Sequence, residues 1–234
     1  MQIFYAPDIS EDTYTLDETE SKHCIRVLRM TKGAFVRLID GKGNLYEGVI
    51  SNPDSKRCTI SISGKTENFE SRNYSLHIAI SPLKNPERFE WFVEKSVEIG
   101  VDMITPLICR NTEKTGIKGE RINNLIISAM KQSLKATKTV LNEPCLFHDF
   151  INLDFKCNCM IAHCNDSFER SKISDVYSKK DNAVILIGPE GDFSEEEINC
   201  AIQNKFNQIH LGHSRLRTET AGVAACYSIY FINQ

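Results

Sequence analysis

Two guanidiniums and a carboxylate crowd the stretch Arg215-Leu216-Arg217-Thr218-Glu219, which directly follows the strand-like run QIHLG ending in Leu211 and Gly212. A second loop, Gly188-Pro189-Glu190-Gly191-Asp192, stops the apolar run AVILI at Ile187 and leads into a helix. Glycine between a strand and a helix lets backbone approach a ligand closely. Phosphate is the wrong ligand here. No Gly-Lys-Ser/Thr follows, and the dinucleotide pattern G-x-G-x-x-G is absent. Ser194 and Glu197 have the spacing of a capping box, and Glu195 and Glu196 add negative charge at the same helix start. The chemistry indicated is capture, by backbone groups, of a ligand with little negative charge. A tight turn alone explains the first loop equally well, and a solvated ion-pair cluster is usual for charges alone. Neither explains charges set between a buried strand and a helix whose start carries Ala221, Gly222, Ala224 and Ala225; there Thr218 is the expected N-cap.

From Tyr74 onward strands alternate with helices: YSLHIAI, a helix after Asn85-Pro86, DMITPLI, a helix in RINNLIISAMKQSLK, then CMIAHC, AVILIG, QIHLG and a last helix. Asn85 and Pro86 suit an N-cap and a first helical position, Gly100 suits the far end, and Phe89, Phe92, Val93, Ser96 and Val97 form one face. Such alternation predicts an α/β domain with a mainly parallel sheet, whose ligands sit at the carboxyl ends of the strands. Residues 1–68 read differently. AFVRLID and NLYEGVI flank DGKG as a hairpin, and RCTISIS alternates Cys58, Ile60 and Ile62. TESKHCIRVLRM places Cys24, Val27 and Leu28 at helical spacing, and residues 64–73 read as a linker.

A chain that is 41% hydrophobic and 25% charged, with net charge −3, has no global attraction for nucleic acid, so any such partner needs local basic patches. No apolar run is long enough for a membrane span and the N-terminus lacks signal-peptide order, so the expected location is the cytoplasm. The odd count of nine cysteines fits reduced thiols. Cys157, Cys159, His163 and Cys164 lack zinc spacing, and no metal is expected.

The motifs IGPEGDFSEEEI and LGHSRLRTETA, with HCIRVLR, DGKG, EKSVEIGVDMITPL and KQSLK in the same order, resemble RsmE, the 16S ribosomal RNA (uracil-N3)-methyltransferase family of the SPOUT superfamily. The resemblance covers nearly the whole chain. It implies a small PUA-like RNA-binding β-barrel at 1–68 and a SPOUT methyltransferase domain at 74–234 with a deep trefoil knot. It also implies S-adenosyl-L-methionine as cofactor, a homodimer with its sites near the interface, and 16S rRNA of the small ribosomal subunit as substrate. Carried over to this sequence, the cofactor residues are Ile187, Gly188, Gly191, Leu211, Gly212, Leu216, Arg217, Thr218 and Ala221. Methylation of uridine N3 requires loss of its proton, for which Glu219 is the candidate base and Glu190 the runner-up; Arg217 is the candidate for stabilising charge on the uracil.

Two basic segments are candidate RNA contacts: Lys22, His23, Arg26 and Arg29, and the 110–140 stretch, from which Lys131 and Lys135 are taken. Departures from the family pattern fall at Asp192, where a glycine is usual, at Leu134-Lys135, where an arginine is common, and at Gln2. A SPOUT enzyme acting on a ribose 2′-hydroxyl or on transfer RNA, and a non-catalytic RNA-binding or assembly factor, remain open at this stage.

Overall fold

The computed structural model describes residues 2–234. The chain divides into two compact units: one ends at Ser71 and also takes in Met130–Lys138, and the other comprises Arg72–Ala129 and Thr139–Gln234.

The first unit runs β1 (Ile3–Tyr5), β2 (Thr13–Thr15), α1 (Glu18–Lys22), a π-helical turn (His23–Val27), β3 (Phe35–Ile39), β4 (Leu45–Asn52) and β5 (Thr59–Thr66). The strands form one sheet in the order β1-β3-β4-β5-β2. β1 pairs parallel to β3, and the other neighbours are antiparallel. Period-two alternation sends Val36, Leu38, Ile50, Cys58 and Ile60 into its core. Asp17 caps α1 by accepting a hydrogen bond from Glu20 N at 2.7 Å. The helical spacing expected through Val27 fails there. Leu28 N bonds back five residues to His23 O at 2.9 Å, which widens the turn; Cys24 stays buried while Val27 is 66% exposed. At the β3–β4 hairpin the buried Asp40 carboxylate accepts from Lys42 N (2.7 Å), Asn44 N (3.0 Å) and Asn44 Nδ2 (2.7 Å). Burial raises its pKa, but these hydrogen bonds outweigh burial and hold it below the usual carboxylate value. The same hairpin grips the returning segment: Gly43 N donates to Ala136 O (3.0 Å) and Lys138 N to Gly41 O (2.9 Å).

The chain continues into the second unit with β6 (Leu76–Ile80), α2 (Pro86–Ile99), β7 (Met103–Ile108), α3 (Gly119–Gln132, whose last three residues belong to the first unit), β8 (Val140–Leu141), β9 (Cys145–Leu146) and α4 (Phe147–Ile151). Then follow β10 (Asn158–Ala162), β11 (Ser171–Lys172), α5 (Ile173–Val176), β12 (Ala183–Ile187), α6 (Glu195–Gln203), β13 (Asn207–His210) and α7 (Thr218–Ile232). The sheet order is β11-β13-β10-β12-β6-β7-β8, with β9 also on β7, and every pairing is parallel. β12, central and covered on both faces, is buried at all of its residues, which is why it reads as unbroken aliphatics. α2 begins where Asn85 Oδ1 accepts from Glu87 N (2.9 Å) and ends at Gly100 in the left-handed region (φ 115°). Its buried stripe is the predicted one, Phe89, Phe92, Val93, Ser96 and Val97. α7 packs on α2 through Gly222, where a Cβ would lie 2.5 Å from the Phe92 ring. Among the described residues no helix is long and apolar enough to cross a membrane.

Candidate active site

β10, β12 and β13 lie side by side and parallel, so their carboxyl ends open on one edge of the sheet. A cavity of about 300 Å³ sits there, floored by Ala162, Ile187 and Ile209 from the three strand ends and walled by the two loops beyond β12 and β13. This is the low end of the size range of small-molecule clefts. Of the residues carried over for the cofactor, Ile187, Gly188, Leu211, Gly212, Leu216, Arg217, Thr218 and Ala221 all line it. Gly191 does not; it faces a neighbouring polar cleft.

The loop after β12 is fixed by its own packing. A Cβ on Gly188 would come within 3.0 Å of the Phe193 ring, so glycine is needed there to seat Phe193 under the loop. Asn111 Nδ2 donates to Gly191 O (3.3 Å) and Asp192 O (3.0 Å). Asp192, at φ 63°, turns its carboxylate inward: Oδ1 accepts from Phe193 N (2.8 Å) and Oδ2 from Cys164 N (2.7 Å), tying this loop to the one after β10. The capping box is formed in full, with Ser194 N donating to Glu197 Oε2 (2.8 Å) and Glu197 N to Ser194 Oγ (3.2 Å). Glu190 is exposed and accepts from Lys84 N at 3.1 Å.

The loop after β13 carries the charged groups. Gly212 takes φ 110°, a conformation only glycine adopts readily, and a Cβ there would meet nothing within 4 Å. α7 starts one residue earlier than the sequence indicates: Arg217 is the N-cap, without a side-chain cap bond, and Thr218 is already helical and buried. Glu219 therefore lies in the first turn of α7, where the helix dipole favours a carboxylate. Its side chain is only 9% exposed, with Oε1 3.7 Å from Arg88 Nε. Its Oε2 is buried and has no hydrogen-bond partner. Leaving a buried carboxylate oxygen unpaired is costly, so this group stands out among the residues that line the cavity.

Arg88 and His163 also line the cavity, and the sequence does not single either out as a ligand group there. Arg88 reaches it from α2, a relation that no local pattern reveals. His163, weighed in the sequence only for metal, follows the last residue of β10. Burial lowers its pKa, a bond between Nε2 and Gln208 Oε1 (3.2 Å) partly offsets this, and Nδ1 is buried without a partner. Among the described residues no group of three His, Cys, Asp or Glu side chains could hold a metal ion. All nine cysteines are free, and burial pushes the Cys159 thiol up to about 12.

The family described as RNA methyltransferase domain matches residues 70–230, spanning the whole sheet and both cavity loops. The chain belongs to this RNA methyltransferase family. A second match, described as RNA methyltransferase PUA domain, covers residues 16–63. A solved probable rRNA-methyltransferase from Porphyromonas gingivalis is 41% identical, with TM-score 0.94 over 100% of this chain and 98% of that one. A Ribosomal RNA small subunit methyltransferase E from Neisseria gonorrhoeae, solved bound to S-adenosyl methionine, is 26% identical with TM-score 0.86, over 99% of this chain and 98% of that one. A protein of the same name from Mesomycoplasma hyopneumoniae (strain 232) is 27% identical over 95% of this chain and 96% of its own length. The fold is thus the parallel-sheet α/β methyltransferase fold preceded by a PUA-like unit.

In the PUA-like unit of this methyltransferase, Lys22 on α1, His23 and Arg26 on the π-helical turn, and Arg29 just beyond it are exposed. Lys22 pairs with Glu18 at 2.6 Å, and Arg26 donates to Ser55 Oγ at 3.3 Å. Lys131 and Lys135 belong to the same unit through the returning segment, and both are half-buried. The Lys131 ammonium is held by Glu20 of α1. The two basic segments, over a hundred residues apart in sequence, are thus brought into one unit.

Proposed function

We propose that this methyltransferase transfers the methyl group of S-adenosyl-L-methionine to N3 of a uridine in 16S rRNA of the small ribosomal subunit. The observation that carries the reading is Glu219, buried in the cavity wall with one carboxylate oxygen unpartnered. The cavity suits the cofactor: apolar side chains of Ile187, Leu211, Leu216 and Ala221 for adenine, backbone around Gly188 and Gly212 for ribose and base, and Glu190 near the rim for positive charge. Bound there, S-adenosyl-L-methionine supplies an electrophilic methyl group. Glu219 accepts the N3 proton through Oε2, turning a poor imide nucleophile into an anion, and Arg217 stabilises the charge that spreads to the uracil carbonyl oxygens. Thr218, at the start of α7, lines the same cavity and contacts the cofactor.

The exposed Lys22, His23, Arg26 and Arg29 contact RNA phosphates, and Lys131 and Lys135 extend that surface. The trefoil knot is supported by the path of the chain: β13 lies outside β10, while α7 returns to pack on α2, β6 and β12. A homodimer is supported by Tyr227 and Phe231 on α7, 54% and 66% exposed, with rings stacked 6.2 Å apart. Nine free thiols support work in the reducing cytoplasm.

The test is methyl transfer from labelled cofactor to small subunits from cells lacking the protein, with the label located by nuclease digestion and mass spectrometry. A single N3-methyluridine in 16S rRNA is expected. Label on a ribose or in another RNA would overturn the substrate, and no cofactor binding would overturn the activity.

A further inference from the structure

We propose that a second, open cleft, sharing a wall with the first cavity, is the socket of the target base, with Trp91 as its stacking face and the Glu219 carboxylate and the arginines of the shared wall as the acceptor and donors that select a uracil-type imide. This inference rests on the methyl-transfer reading above.

The second space, an open cleft of about 590 Å³, shares Arg88, Arg215, Leu216, Arg217 and Glu219 with the first. Its other walls come from the first turns of α2 and α7, including Asn85, Trp91 and Thr220. The shared wall thus carries the Glu219 carboxylate together with three guanidiniums. Trp91 is the only tryptophan of the chain. It leaves 43% of its surface in the open, whereas the other two aromatics of α2, Phe89 and Phe92, are buried. An exposed indole in a cleft lined also by Arg88, Arg215 and Arg217 fits an unstacked base, because aromatic faces and arginine planes are the usual platforms for splayed nucleobases.

The edge chemistry selects among bases. Uracil presents carbonyl, N–H and carbonyl along its pairing edge, so its complement is donor, acceptor, donor. Glu219 supplies an acceptor with an unpaired oxygen, and arginine can only donate. Arg88 Nε lies 3.7 Å from the other Glu219 oxygen, so one donor already stands beside the acceptor. Cytosine and adenine present an amino group and a bare ring nitrogen, placing donor against donor and acceptor against acceptor. Guanine offers its N–H but turns an amino group towards one guanidinium. A base must leave its stack to reach this socket, the usual course for enzymes that modify a base.

Because Trp91 is the sole tryptophan, its fluorescence reports the socket directly. With S-adenosylhomocysteine bound, millimolar uridine monophosphate should quench it saturably, and 3-methyluridine and cytidine monophosphates should quench at least about tenfold more weakly. In methyl transfer to small subunits, Trp91→Ala should raise KM at least about tenfold, in line with loss of one base stack. Trp91→Phe should recover most of that loss, and both variants should keep wild-type affinity for S-adenosylhomocysteine. An unchanged KM in Trp91→Ala, or equal quenching by all three nucleotides, overturns the socket. Emission that follows protein concentration and ignores uridine monophosphate also overturns it, by placing the indole between two copies of the chain. If the wild type labels no RNA, the methyl-transfer reading falls and the socket falls with it; if the wild type labels RNA and Trp91→Ala does so equally well, only the socket falls.

Discussion

The loops 188–194 and 211–217 wall the same cavity, yet the first is tied down along most of its length and the second has few ties. In the first, Phe193 fills the space left by Gly188, Asn111 holds two carbonyls, Asp192 reaches the loop after β10, and a capping box closes the end. In the second, the described bonds are Gly212 N to His210 Nδ1 at 3.2 Å and the start of α7, and residues 212–215 are exposed. One wall is built in advance, and the other has its ordering cost still to be met when a ligand binds. The catalytic candidates lie on or next to the less constrained wall. On the proposed mechanism, chemistry takes place where a ligand completes the structure.

The sharpest way to break this comparison is Glu219→Gln. If the carboxylate is the proton acceptor, turnover should fall by about 10²- to 10⁴-fold while S-adenosylhomocysteine binds as before. An equal loss in cofactor affinity would make the second wall a binding device only. Next come the two glycines. Gly188→Ala forces a Cβ onto Phe193 and should cost about 1–3 kcal/mol of stability, read as a lower midpoint in urea. Gly212→Ala meets open space, so its strain of about 1–2 kcal/mol should be relieved by a loop shift and appear mainly as weaker cofactor binding. If Gly212→Ala destabilises the free protein more than Gly188→Ala does, the contrast between the walls is wrong.

How far the sequence reveals this arrangement depends on the range of the interaction. The capping box of α6, both ends and the buried stripe of α2, and the apolar strand β12 are local patterns, and they fold as they read. Val27 does not, because one bond spanning five residues resets the phase of the turn, and periodicity carries no sign of that. Gly188 reads as a place where backbone can approach a ligand, and it lines the cavity; the structure adds that a Cβ there would meet Phe193, five residues on, a contact visible only once the loop closes. Arg88 next to Glu219 and Asp192 bonded to Cys164 join residues far apart in sequence, and a single chain does not announce such pairs.

Two smaller effects refine the contrast. Hydrogen exchange should find the amides of Asp192, Phe193 and Ser194 protected in the free protein, since each has an acceptor, and those of 213–216 fast until S-adenosylhomocysteine is added. Equal exchange of both loops in the free protein would erase the distinction. Asp192→Asn keeps one acceptor oxygen and should cost only about 0.5–1.5 kcal/mol, with the Cys164 amide exchanging faster.

The segment Met130–Lys138 has a consequence for how the protein is made. The first unit lacks part of itself until Ala136 and Lys138 have been translated and can meet the β3–β4 hairpin. At ordinary elongation rates that comes roughly 4–14 seconds after the last strand of its sheet has been made. During the interval the hairpin waits with Gly41 O and Gly43 N unpaired by their final partners. A gene cut at the apparent linker would therefore separate one fold into two incomplete pieces, and a fragment ending near Ser71 would remain at the stage that the growing chain passes through only briefly.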